Sequence, residues 1–332
     1  MTFKIAVIGC GWIAQDRHGP SYAKYASFHP DVELAACCDT DAARAEQFRA
    51  RYAFQRAYTN YLDMLEAEKP SAVCLNVPEQ FTCEIGCQVL WRGYPLLTEK
   101  PPGLTVAELD RLSEAARASG ALHQVAFNRR HTPLLVELKR RLGAASLHHI
   151  DHSFYRVGRT NGDFTTTAIH AIDTVRFLAG CDYQQVDIHY QEFPVYTAPG
   201  GETLGVANYL LTCAFTSGAT AAISLCPVTG LAVERTVVHT PDKTFILKMN
   251  LGPDAPGSLQ QFEGGQLTWE ADGAQFTGSR SDVVLSGFEA EDLAFFEAVR
   301  AGRQPADNFA SCQQSVAIMQ HLHERRFQYR RP

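Results

Sequence analysis

The stretch TTTAIHAID, Thr165 to Asp173, places a histidine among polar residues at helical spacing. Ala168, Ile169, Ile172 and Val175 recur at intervals of three and four, so the segment reads as a helix with Thr166, His170 and Asp173 along one face. A neutral imidazole there could take a proton from a substrate hydroxyl. Taken alone, the stretch favours a plainer reading, a hydrogen-bonded helix histidine. A second group comes from LTEKPP, where Lys100 follows an apolar run and precedes two prolines. An ammonium held at a strand end could stabilise an oxygen gaining negative charge. A solvated surface lysine fits those residues as well.

The third signal is Gly9-Cys10-Gly11-Trp12-Ile13-Ala14, which fits G-x-G-x-x-A directly after an apolar run. The first glycine permits a tight turn and the second lets the backbone approach a pyrophosphate. The small third residue lets helix and strand come close, and the helix N-terminus attracts phosphate. Asp39 ends the next apolar run at a spacing that suits a carboxylate accepting from an adenosine ribose. That carboxylate favours NAD and disfavours a 2′-phosphate, although Arg44 could reach one, so NADP stays open.

These groups need elements to hold them. Apolar runs Phe3–Gly9, Val32–Asp39, Ala72–Val77, Leu96–Thr98 and Leu122–Phe127 alternate with amphipathic stretches. Continuous apolar strands between helices imply a doubly wound parallel α/β (Rossmann) domain over residues 1–126. After Asn128 the rhythm changes to long β-like runs from Val186 to Met249, broken by Pro199-Gly200-Gly201 and Ser217-Gly218. Residues 127–332 therefore read as an α+β domain on an open, mostly antiparallel sheet, with a C-terminal helix that could return to the first domain.

Composition narrows the partners. The chain has 332 residues and a formal charge of −6, with no basic run able to track a nucleic-acid backbone. No apolar run reaches the roughly 20 residues needed to span a bilayer, and the N-terminal apolar run lacks the marks of an export signal. Ten cysteines, mostly inside apolar runs, read as buried thiols of a cytoplasmic protein. The strand containing His148, His149, Asp151 and His152 lacks ligand spacing for a metal, so no metal site is expected. Its neighbours Tyr155, Arg156, Arg159 and Asn161 could line a substrate site or a solvated loop.

Taken together, the glycine turn, Glu99-Lys100-Pro101, Asn128-Arg129-Arg130 and the His170 helix resemble, in order and spacing, the Gfo/Idh/MocA oxidoreductases. The resemblance implies that Gly9, Gly11, Trp12, Ile13 and Asp39 line a dinucleotide. It puts Asn76 and Pro78 along the ribose and phosphates, and Glu99 and Asn128 toward the nicotinamide. By the same resemblance Lys100 would hold the reacting oxygen and His170 would transfer its proton, on a sugar, polyol or similar hydroxylated substrate. From their places on the strand and before the His170 helix, Tyr155 would help bind it and Arg156 and Asn161 could contact it, while the resemblance implies a homo-oligomer through the second-domain sheet.

Two positions depart from the family. Thr166 stands where an aspartate usually precedes the histidine by four residues, and Thr82 stands where many relatives have histidine. Thr166 and Asp173 are then the candidate supports for His170. Two other outcomes stay open, a dinucleotide-binding regulatory protein without efficient turnover and a redox-assisted elimination or hydrolysis with retained NAD.

Overall fold

The computed structural model describes residues 2–160, 163–197, 203–252 and 254–332. The chain divides into two compact units, one of Met1–Asn128 with Gly287–Gln313, the other of Arg129–Ser286 with Gln314–Pro332. Up to Asn128, strands and helices alternate: β1 (Phe3–Ile8), α1 (Gly19–Phe28), β2 (Val32–Cys38), α2 (Ala42–Tyr52), β3 (Arg56–Tyr58) and α3 (Tyr61–Glu68). They continue with β4 (Ala72–Leu75), α4 (Glu79–Trp91), β5 (Leu96–Glu99), α5 (Val106–Ser119) and β6 (His123–Ala126). Side-chain oxygens of Asp41, Asn60 and Thr105 accept the first N–H groups of α2, α3 and α5, which fixes where those helices start.

All six strands run parallel in the order β3-β2-β1-β4-β5-β6. This is the doubly wound order, and its reversal lies between β1 and β4, where such sheets bind ligands outside their carboxyl ends. The short β3 was not legible in the sequence, because Arg56-Ala57-Tyr58 carries no apolar run.

From Arg129 onward come α6 (Pro133–Leu142), β7 (His149–Tyr155), α7 (Thr165–Ala179), β8 (Tyr183–Thr197), β9 (Thr203–Phe215), β10 (Thr220–Cys226), β11 (Val233–His239) and β12 (Lys243–Lys248). They are followed by β13 (Ser258–Glu263), β14 (Gln266–Asp272) and two short helices, α8 (Gly273–Thr277) and α9 (Asp282–Leu285). The chain closes with α10 (Phe288–Arg300), α11 (Phe309–His323) and β15 (Gln328–Arg330). The second sheet has the order β14-β13-β12-β11-β7-β10-β9-β8-β15, with β7 and β10 as its one parallel pair. One face of α7, with Ala168, Ile172 and Val175, joins Ile150, Phe154, Ile223 and Leu225 in that unit's core.

α10 belongs to the first unit. Its buried face carries Phe288, Glu291, Asp292, Phe295 and Phe296. The Phe296 ring lies 5.0 Å from Tyr25, 5.8 Å from Tyr22 and 6.2 Å from Phe3. Phe296→Ala should therefore destabilise the first unit by about 3–5 kcal/mol. Calorimetry reads this as a lowered transition, and an unchanged thermogram would place α10 outside that core.

Candidate active site

β1 ends in a turn whose shape is dictated by its neighbours. Gly9 has φ +89°, and a Cβ there would lie 2.3 Å from the Asn76 carbonyl oxygen. No other residue fits without moving β4 away from β1. At Gly11 the reverse holds: a Cβ would meet nothing within 4 Å. Gly9 is thus required by the protein itself, while Gly11 leaves open space over the helix start. The buried Asn76 follows β4, and its side chain lies beside the Tyr22 hydroxyl. A bare Gly11 backbone at a helix start fits the phosphates of a dinucleotide.

Asp39, at the end of β2, braces the turn. Its Oδ2 accepts from Cys10 N–H at 2.9 Å and its Oδ1 from Asp41 N–H at 2.9 Å. The half-exposed Arg44 approaches Oδ1 at 3.3 Å. Trp12 is exposed with Arg17 stacked 5.2 Å from its ring, and Ile13 is half-buried beside it. Pro78 begins α4 and Asn128 is buried just after β6. All these groups stand at the carboxyl edge of the parallel sheet.

Glu99 and Lys100 follow on the same edge, at the end of β5. Lys100 N–H donates to Glu99 Oε2 at 3.0 Å, and Glu99 Oε1 lies 3.0 Å from His18 Nε2. The other ring nitrogen of His18 lies 2.8 Å from Asp292 Oδ1. Burial works against a charge on His18, but the carboxylates of Asp292 and Glu99 outweigh it and raise its proton affinity well above the usual range. Burial also opposes the charge of Glu99, yet His18 and Lys100 hold its carboxylate in the ionised form.

In the second unit, α7 starts where the Asp163 carboxylate accepts Thr165 N–H at 2.9 Å. Thr166 Oγ1 donates to the Asp163 carbonyl at 2.8 Å, so its hydroxyl helps close the first turn. His170 is buried, at 7% exposure. Asp173 is turned to Arg130, which donates from Nε and Nη2 at 2.7 and 2.6 Å, and to Ser315, whose hydroxyl donates at 3.0 Å. Its carboxylate anchors the helix.

Arg156, expected at a substrate, pairs with Glu234 and lies 3.5 Å over the Phe154 ring. Arg129 donates to the same Glu234 at 2.8 Å. Tyr155 is half-buried on the same face of β7 as His149 and Asp151. Asn161 lies outside the described residues. His152 points to the opposite, buried face, where its Nδ1 lies 2.8 Å from Thr236 Oγ1 and its Nε2 has no partner.

Comparison with known proteins now bears on this geometry. Residues 3–127 match the model of an oxidoreductase family with an NAD-binding Rossmann fold, Gfo/Idh/MocA. The first domain belongs to that family. The Gfo/Idh/MocA match explains the glycine turn and makes the unit an NAD-binding Rossmann domain.

An inositol 2-dehydrogenase from Ralstonia nicotianae is 30% identical over 200 residues, 57% of this chain and 58% of that protein. A D-glucoside 3-dehydrogenase from Escherichia coli is 29% identical over 127 residues, 38% of this chain and 35% of that one. The chain thus spans less than two thirds of the length of these curated relatives. The structure of a levoglucosan dehydrogenase in complex with NADH superposes with a TM-score of 0.82 over the whole of both chains, at 16% identity. At that identity the likeness is one of fold. Among the described residues, no helix is long and apolar enough to cross a membrane.

Sequence reasoning passed over His18, Glu291 and Asp292. A signal was available, because Glu291 and Asp292 interrupt the stripe of Phe288, Phe295 and Phe296 that the spacing of α10 makes its apolar face.

Gly9→Ala should abolish measurable NAD binding in this Gfo/Idh/MocA domain and lower its melting temperature, since both φ and the Asn76 carbonyl oppose a methyl group. Calorimetric titration with NAD checks it; wild-type affinity would remove the account of the turn. A second expectation concerns acid. Burial pulls His152 down to about 4, and the arginines beside Glu234 outweigh its burial and hold it at about 2. Both folded values lie below the ordinary 6.5 and 4.5, so the unfolded chain takes the protons first. Stability is lost as pH falls from 6.5 to 4 through His152 and from 4.5 to 2 through Glu234. Each contributes about 3 kcal/mol. Urea midpoints of the parent chain should fall relative to His152→Gln between pH 7 and pH 4; parallel curves would contradict the assignment.

Proposed function

We propose that the chain is an NAD-dependent dehydrogenase or reductase acting on a CH–OH carbon of a sugar, polyol or similar small molecule. The observation that carries this is the carboxyl edge of the first sheet. There a dinucleotide-type glycine turn, Asn76 and Lys100 stand on adjacent strand ends. The inositol and glucoside substrates in the names of the relatives support the substrate class.

In the oxidative direction the substrate C–H bond supplies a hydride and the hydroxyl loses a proton to His170, leaving a carbonyl. The nicotinamide, when bound, accepts the hydride. Lys100 stabilises the oxygen as its negative charge grows, and imidazole of His170 takes the proton in its neutral form. In reduction the same groups work in reverse. Glu99 and Asn128 fall to the nicotinamide side, and Gly9, Gly11, Trp12, Ile13, Asp39, Asn76 and Pro78 to the rest of the dinucleotide. Tyr155 is assigned to the substrate. Arg156 acts through its bond to Glu234, and Asp173 through Arg130, as supports.

Thr166 favours one variation. Its hydroxyl cannot supply the charge of the family's usual aspartate, so a proton accepted by His170 is less stabilised. Retained NAD with redox-assisted elimination or hydrolysis is the second reading, and it gives product without net change in added nicotinamide.

The test is a screen of polyols, sugars and nucleotide sugars with NAD or NADH, followed at the nicotinamide absorbance. Lys100→Met and His170→Ala should each lower kcat/KM about 10²–10⁴-fold while NAD still binds. Unchanged turnover in both variants would sink the mechanism, and NAD binding without turnover on any substrate would favour a regulatory role.

A further inference from the structure

His18 lies on the buried face of the helix that follows the glycine motif, with Ala14, Tyr22 and Tyr25. The turn after the glycine motif, Ala14–His18, is π-helical, one residue wider than an α-helical turn. It delivers the imidazole, 0% exposed, between the last residue of β5 and the middle of α10. Tyr22 lies stacked at 5.8 Å and Phe288 edge-on at 5.3 Å, so the ring can neither rotate nor reach water.

Both nitrogens face carboxylate oxygens, Asp292 at 2.8 Å and Glu99 at 3.0 Å. A neutral ring has one N–H and one lone pair, and the lone pair cannot face a carboxylate lone pair at that distance. One further proton is needed among these groups. Burial raises the Asp292 carboxyl, but the two carboxylates raise the ring well above its usual range, which assigns the proton to the imidazole. The neighbouring Glu291 is fully buried and neither of its oxygens has a partner. Burial pushes its carboxyl well above the ordinary range, so Glu291 holds its proton and adds no charge.

A divalent ion is the other occupant to consider, since ligand atoms of His18, Glu291 and Asp292 lie within 4.8 Å of one another. It would have to displace a ring proton shared with the Asp292 or Glu99 carboxylate. The charge on the ring serves the carboxylates.

We propose that His18 is a positioning residue for the reaction: it fixes the Glu99 carboxylate, which in turn holds the Lys100 backbone N–H and so sets where the lysine stands. The chain of contacts runs from Asp292 through His18 and Glu99 to Lys100, and it joins α10 to the end of β5. The inference rests on the reading that Lys100 acts at the reacting oxygen. The titratable groups around the ring are Asp292 and Glu291 from α10, Glu99 and Lys100 from the end of β5, Tyr22 from α1 and Cys74 from β4, with Asp307 beyond Glu291. Without the imidazolium, Glu99 keeps the Lys100 N–H but loses the ring, and its charge acts more strongly on the Lys100 ammonium.

The experiment uses the full chain and needs no substrate. Histidine-labelled protein is examined by nitrogen NMR, with His18→Gln assigning the signal, and Lys100 is labelled competitively with acetic anhydride against exposed Lys69. Expected is a His18 ring carrying two protons at neutral pH, and at least threefold slower Lys100 labelling in His18→Gln with NAD affinity within threefold of the parent. On a substrate from the screen, kcat should fall about 10–100-fold with KM nearly unchanged. If His18→Gln fails to fold, Asp292→Asn replaces it and should make His18 lose its second proton at a lower pH.

A singly protonated ring in the parent, unchanged Lys100 labelling in a folded variant, or one equivalent of tightly bound zinc or manganese with His18 as ligand would each overturn the assignment. NAD binding without turnover would remove the proposed reaction but leave these readouts intact. Normal turnover with unchanged labelling would do the opposite.

Discussion

The ion pair between Arg130 and Asp173 is the constraint on which the helix carrying His170 depends. Both side chains are nearly inaccessible, at 6% and 1%, and the pair is bidentate with Ser315 as a third partner. Breaking such a pair from one side typically costs about 3–5 kcal/mol, because a buried charge is left behind. Its value here is positional. Arg130 lies in the turn that opens the second unit, Asp173 in α7 and Ser315 in α11, so one contact fixes the helix carrying His170 from two directions. An aspartate three residues from a histidine could be read as its partner, but this carboxylate is saturated elsewhere.

The parallel sheet was legible because its strands are buried on both faces and leave unbroken apolar runs, as in Ile5–Ile8 and Ala72–Leu75. The glycine turn was legible because its requirements are local. What could not be read was pairing. Glu234 and the two arginines beside it are separated by 105 and 78 residues, and no periodicity links them. β14 was missed because Gln266–Asp272 is mostly exposed and carries little apolar alternation. Arg156 looked like a substrate ligand because it precedes the helix that carries His170. The fold gave it Glu234 and the Phe154 ring instead.

His18 illustrates a different limit. Helical spacing puts it on the buried face with Ala14 and Tyr22, but the π-helical widening of the turn leaves no mark in composition. The polar interruptions in α10 were the readable half of the arrangement. Their meaning depended on a ring 274 residues away in the chain. Buried ionised groups are costly unless mutually satisfied, so their presence beside a dinucleotide turn argues for a role in holding the edge of the sheet.

The placement of α10 also sets the order in which the molecule is completed. The first unit needs Phe295 and Phe296 for its core and Asp292 for His18, yet these residues emerge from the ribosome after the whole of Arg129–Ser286. At typical synthesis rates that gap of roughly 160 residues lasts about 10–30 s. During it the six parallel strands exist without one of the helices that cover them. The first unit therefore closes only after the main segment of the second has been made.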